Sequence, residues 1–220
     1  MKPQGTLTVE VPHLLNLIEQ RQFDTIYHEH FSYFSLHTAS RLFDAHNLQI
    51  VDVEELPTHG GSLRLFVRHR EAQQPTEQIT TVASKEHAAG LDRLGTYSHF
   101  GELVRETKRR LLSFLIEAKD AGHRVAGYGA PAKGNTLLNY CGIGTDLIDF
   151  TVDLSPHKQG CYLPGSRIPI SAPLRIDQER PDYVLILPWN LSTEIMQQQA
   201  NVRTWGGRFA VPIPTVRVLD

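Results

Sequence analysis

The stretch Val125-Ala126-Gly127-Tyr128-Gly129-Ala130-Pro131-Ala132-Lys133-Gly134-Asn135-Thr136 limits what this chain can fold into more than any other. An apolar run enters a Gly-x-Gly turn. Pro131 then opens the next segment, its fixed φ suiting the first turn of a helix and its missing N–H leaving nothing unpaired there. Strand, glycine turn and helix in that order point to a parallel sheet, because parallel neighbours need a crossover to return the chain. The residues downstream agree: strands over 149–154 and 182–187, a helix over 192–200 and a strand over 208–211 alternate as a small α/β domain does.

The same turn has a chemistry. Glycines let the backbone approach a pyrophosphate, the helix N-terminus aims unpaired N–H groups at it, and Lys133 adds a mobile positive charge. The second strand ends in Asp153, where a Rossmann unit sets an acidic residue against a ribose hydroxyl. Gly127, Tyr128, Gly129, Ala130, Lys133, Gly134, Asn135 and Asp153 are therefore candidate contacts to a nucleotide. The third glycine of the fingerprint is displaced to Gly134, and glycines kept for packing alone are the competing reading. The loop 155–165 lies at the carboxyl end of the second strand; Lys158 and Tyr162 either reach phosphate or base there or belong to a plain surface turn.

Upstream, residues 5–11 alternate as a strand, with Leu7, Val9 and Val11 on one face. Pro12 is expected to open a short helix with Leu14, Leu15, Leu17 and Ile18 inward. This strand has no earlier strand to pair with, which reads as a chain that begins inside a larger domain. Ser35 caps a helix through about His46. Strands over 48–56 and 62–69, joined by Pro57-Thr58-His59-Gly60-Gly61, read as a hairpin. A polar connector from Glu71 to Thr76 leads into a helical bridge that ends near Ala121 and breaks near Gly95.

Between these elements lies Tyr27-His28-Glu29-His30, flanked by Phe23, Phe31, Tyr33 and Phe34. An imidazole is a natural base for removing a proton α to a carbonyl, a carboxylate can orient it, and a phenol can donate to the forming enolate. A hydrogen-bonded structural loop is the plainer alternative. A metal is not expected, since adjacent residues do not converge easily on one ion.

Lys and Arg, 22 in all, nearly balance 24 Asp and Glu, so no broad positive field marks a nucleic-acid or membrane partner. Cys141 and Cys161 are too few for a disulfide framework or a four-ligand zinc site, which suits a reducing cytoplasm. No apolar stretch approaches the ~20 residues a membrane helix needs, nor the apolar run of a signal peptide.

Residues 23–35, His59-Gly60-Gly61-Ser62-Leu63-Arg64, 127–134 and 158–165 resemble, in that order, the sugar C-methyltransferases, S-adenosylmethionine enzymes of deoxysugar biosynthesis. The resemblance covers nearly the whole chain. It implies a base at His30, assisted at Tyr27 and Glu29, that takes the C-3' proton of a dTDP-linked 4-keto sugar before methyl transfer. It places the nucleotide diphosphate on the domain holding Gly127 to Asn135 and brings Gly61 and Ser62 toward the substrate. The implied architecture is α/β: residues 1–52 as the tail of the methyl-donor domain with the catalytic loop, 53–121 as hairpin and helical bridge, and 122–220 as a C-terminal Rossmann-like nucleotide-sugar domain. The family's cysteine-rich zinc module and glycine-rich donor motif are not in this sequence, so S-adenosylmethionine is expected to need a further portion or partner. Two rival readings remain, a nucleotide-sugar-binding module without chemistry and an NAD-dependent oxidoreductase.

Overall fold

A computed structural model describes residues 1–70 and 72–219. Glu71, expected to start the polar connector, lies outside the described residues. Contacts divide the chain into two compact units, residues 1–22 with 30–102, and residues 23–29 with 103–220.

The first unit is built on a three-stranded antiparallel sheet. Strand β1 (Leu7–Pro12) is followed by helix α1 (Leu14–Glu19), helix α2 (Leu36–Asp44), strand β2 (Leu48–Leu56), strand β3 (Ser62–His69) and helix α3 (Glu77–Ala88), with order β1-β3-β2. β1, which lacks an earlier partner in the sequence, pairs with β3, setting Leu7, Val9 and Val11 opposite Val67, Leu65 and Leu63. Pro12 ends this strand rather than opening a helix, and His13 takes the helix-capping position. Leu15, Leu17 and Ile18 are buried as expected, whereas Leu14 is only partly so.

Strict alternation in β3 buries Leu63, Leu65 and Val67 and leaves Arg64 on the outer face. The register sets Arg64 between Glu10 of β1 and Glu54 of β2, which it pairs with at 3.1 and 3.2 Å. Because β2 pairs with β3 from Leu48 to Leu56, the expected boundary between residues 52 and 53 falls inside one continuous strand.

Helix α2 starts where its N–H groups find acceptors. Ser35 Oγ accepts from the Thr38 N–H at 3.1 Å, and the Glu86 carboxylate of α3 accepts from Leu36 and His37 N–H at 2.6 and 3.0 Å. Glu86 also meets the Nε2 of buried His13 at 2.9 Å.

Helix α4 (Leu94–Asp120) begins in the first unit, and its residues from Leu103 onward belong to the second. The expected break in the helical bridge is real but falls at residues 89–93, between α3 and α4, with Gly95 inside α4.

The second unit is the expected Rossmann-like domain. β4 (Val125–Tyr128), α5 (Ala132–Cys141), β5 (Thr151–Val152), β6 (Ile170–Ser171), α6 (Leu174–Glu179), β7 (Tyr183–Ile186), α7 (Ser192–Gln198), β8 (Arg208–Val211) and β9 (Arg217–Leu219) form a six-stranded sheet of order β6-β5-β4-β7-β8-β9. All neighbours are parallel except β8 and β9. β4 and β7 are buried along their whole length, as strands covered on both faces must be. The chain runs from β4 outward through β5 and β6, then returns to β7 on the other side of β4. The carboxyl ends of β4 and β7 therefore flank a topological switch point, where open α/β sheets bind ligands.

Candidate functional site

The turn after β4 is held by the neighbouring strand. Asp153, just past β5, accepts the Ala130 N–H at 2.7 Å and the Ser155 N–H at 2.8 Å; Lys158 Nζ donates to the Ala130 carbonyl at 3.0 Å and lies 3.3 Å from the same carboxylate. Gly129 has φ +89°, and a Cβ there would stand 2.6 Å from Pro188 Cδ. A Cβ at Gly134 would meet Leu187 Cβ at 2.8 Å, so this residue lets α5 lie close against the strand end. At Gly127 the obstacle is Thr151 Oγ1. What all three glycines accommodate is protein, so packing explains them without a pyrophosphate.

Beside this turn is a cavity of about 540 Å³. Its wall joins Ala130, Pro131, Ala132, Asn135 and Thr136 of the turn and first part of α5 to Lys158, Tyr162 and neighbouring residues of the loop after β5, and to Tyr27 and His28. Five of the candidates read from the sequence (Tyr27, Ala130, Asn135, Lys158 and Tyr162) therefore share one wall, together with His28, His157 and Cys161. Tyr128 is not among them: it is buried and lines a smaller cavity with Asp153, Pro188 and Ile195, and burial pushes its phenol pKa up.

Lys133 is not mobile. Its ammonium donates to Asn190 Oδ1 at 2.9 Å and stands 4.7 Å from the centroid of the Trp189 ring, because α5 turns that face toward the 3₁₀ turn at Trp189–Leu191. Burial lowers its pKa and the charge of Asp24 opposes that. Asp24 lies in the 3₁₀ turn Phe23–Thr25, is wholly buried, and accepts the Trp189 indole N–H at 2.7 Å. Burial pushes its carboxyl up to about 6, against the Trp189 hydrogen bond and the Lys133 charge. Sequence reading missed this network because its members lie far apart in the chain; the Trp after Pro188 was the available signal.

The expected polar knot is largely solvated. The side chains of His28 and Glu29 are 85% and 69% exposed and 3.9 Å apart, and Phe31 is 94% exposed, so those two groups are not held among apolar rings. In the first unit, His30 meets Tyr33 edge-on with centroids 6.3 Å apart. Gly61 there has φ +119° and packs on Asn16, while buried Ser62 donates to the Thr58 carbonyl at 3.1 Å; both are occupied in shaping the hairpin turn. Among the described residues no cluster of three or more His, Cys, Asp or Glu could hold a metal ion, and no helix is long and apolar enough to cross a membrane. The first unit, whose sheet is antiparallel throughout, offers among the described residues no strand, glycine turn and helix of the kind that would cradle a nucleoside methyl donor.

Along its whole length the chain is 40% identical to the C-methyltransferase NovU of Streptomyces niveus, over 221 aligned residues that make up 53% of that protein. The chain thus spans about half the length of this relative. Residues 57–214 match the family described as the C-methyltransferase C-terminal domain, and the chain belongs to that family.

Proposed function

We infer that this chain is the substrate-side half of a C-methyltransferase acting on a nucleotide-linked 4-keto deoxysugar, with a dTDP-linked sugar as the substrate. The observation that carries this reading is the 540 Å³ cavity in which Tyr27 and His28 face the first turn of α5, Lys158 and Tyr162. Lys158, Asn135 and Thr136 in its mainly apolar wall suit a diphosphate, and Tyr27 suits a sugar beside it. Asp153 holds the turn beside the cavity through the Ala130 N–H, Gly127, Gly129 and Gly134 let that turn pack closely, Tyr128 ends the strand before it, and Lys133 belongs to the site through its place in the first turn of α5. Gly61 and Ser62 hold the hairpin turn of the first unit.

In this reading His30 removes the proton α to the ketone, Tyr27 donates to the enolate oxygen and Glu29 orients the base. S-adenosylmethionine supplies the methyl group in such chemistry; the residues present do not make its site, and none of the roles given to them runs through it. Calorimetric titration of the chain with dTDP, with NAD and S-adenosylmethionine as comparators, tests the reading. Saturable binding of dTDP without the other two is expected. Binding of NAD in preference to dTDP would replace it with the oxidoreductase reading.

A further inference from the structure

Resting on that reading of the second unit, we propose that Asp24, Trp189 and Lys133 form a positioning relay that fixes the root of the Tyr27 segment to the first turn of α5, with Lys133 acting through Trp189 and Asp24 rather than by touching the diphosphate.

The direction in which Lys133 points is the first support. The residues of α5 that line the cavity are Ala132, Asn135 and Thr136, whereas the Lys133 ammonium is turned to Asn190 and the Trp189 ring. A cation over the face of an indole draws electron density from it and makes its N–H a better donor. That N–H is the group bound to Asp24 Oδ2 at 2.7 Å. One indole therefore stands between a positive and a negative side chain, and each end of the relay strengthens the other.

The charge on Asp24 is the second. A neutral acceptor would also hold an indole N–H, and a wholly buried carboxylate is costly to keep. What the charge adds is an electrostatic hold on Lys133, whose own burial disfavours its ammonium form. The groups facing Asp24 are few. Lys133 acts on it from α5, where Tyr140 also meets Phe23 edge-on at 5.0 Å, and the 189–191 turn presents the Trp189 indole. Phe23 and Thr25, its neighbours in the turn, carry no charge. Tyr27 comes three residues after Asp24 and shares the cavity wall with Ala130, Pro131 and Ala132. Where the relay holds Asp24 therefore decides where Tyr27 stands relative to the α5 N-terminus.

The test monitors Trp189 fluorescence in the Trp205→Phe chain, where it is the sole tryptophan, between about pH 4.5 and 8. A transition centred near pH 6 is expected, absent in Asp24→Asn and moved to higher pH in Lys133→Met, since the cation holds the carboxyl down. A midpoint that Lys133→Met leaves in place, or a transition that survives in Asp24→Asn, overturns the relay. Should Trp205→Phe fail to fold, ¹⁹F spectra of the chain labelled with 5-fluorotryptophan read the same midpoints. Calorimetry with dTDP supplies the second arm. The relay requires Asp24→Asn and Lys133→Met to weaken binding by the same factor, about tenfold, with the double variant no weaker than either. A Lys133 that grips the diphosphate directly would instead lose affinity alone, leaving Asp24→Asn as tight as the unaltered chain or tighter, and that result also overturns the relay. No dTDP binding by the unaltered chain would remove the nucleotide reading, and the fluorescence midpoints would still decide the relay.

Discussion

Replacing Glu86 by Ala tests how the first unit is held together. The Glu86 carboxylate serves three buried or half-buried donors, the N–H groups of Leu36 and His37 at the start of α2 and the imidazole of His13, at 2.6 to 3.0 Å. Each donor left without an acceptor costs about 1 to 3 kcal/mol. A cavity of about 220 Å³ lined by Leu36, His37 and Glu86 itself lets water reach part of this, so the total expected is about 4 kcal/mol rather than the full sum. Glu86→Gln keeps an acceptor and loses the charge, for a deficit of about 1 to 2 kcal/mol. Burial pushes the Glu86 carboxyl up, but the hydrogen bonds from His13, His37 and Leu36 outweigh it and hold the pKa below its ordinary 4.5. The stability it contributes is therefore complete above about 4.5 and is lost as the pH falls through the lower folded value. Urea unfolding followed by far-ultraviolet circular dichroism, with hydrogen exchange at the Leu36 and His37 amides, measures both. A loss under about 1 kcal/mol for Glu86→Ala near neutral pH, or a Glu86→Gln deficit that does not shrink on acidification, refutes the reasoning.

Gly134→Ala should cost about 1 to 3 kcal/mol, seen as a lower melting temperature, because its Cβ would stand 2.8 Å from Leu187 Cβ at the close contact of α5 with the strand end. In an enzyme completed by its donor-binding portion, His30→Ala should lower the methyl-transfer rate by ~100-fold or more; near-normal turnover would take the base role from His30. Cys161 is exposed while Cys141 is buried, with its thiol pushed up to about 12 by that burial, so a thiol reagent should label Cys161 quickly and Cys141 only after unfolding. Equal labelling rates in the folded chain would contradict this arrangement.

The elements legible in the sequence are those whose signal is local. The apolar run before Gly127, the glycine turn and Pro131 marked β4 and α5 because each residue acts on its immediate neighbours, and Ser35 marked the start of α2 for the same reason. β6 is two residues in a segment broken by Pro169 and Pro173, and it pairs only because β5 lies beside it, so no periodicity announced it. The candidate site divides in the same way. Ala130, Asn135, Lys158 and Tyr162 were found because a strand–turn–helix has a known carboxyl end. Lys133 has the local signature of a phosphate ligand, and only the fold reveals that Trp189 and Asn190 claim its ammonium.

Asp24 bears on why a chain keeps a feature that weakens it. Burial raises its carboxyl from 3.8 to about 6. A raised folded value means that the stability present below about 3.8 is lost as the pH climbs through about 6. At about 1.4 kcal/mol for each tenfold change in acidity, the difference amounts to about 3 kcal/mol at pH 7 and above. Asp24→Asn does not titrate, so its unfolding free energy measured against the unaltered chain should improve by about that amount between pH 4 and pH 7, whatever the offset at pH 4. Parallel pH profiles for the two proteins would show that folding leaves the Asp24 carboxyl at its unfolded value, and would refute the cost of burial argued here. A gain in stability accompanied by weaker dTDP binding is the opposite outcome. It would mean that the carboxylate is kept for what it positions, since a residue retained for stability alone would not be one whose removal strengthens the fold.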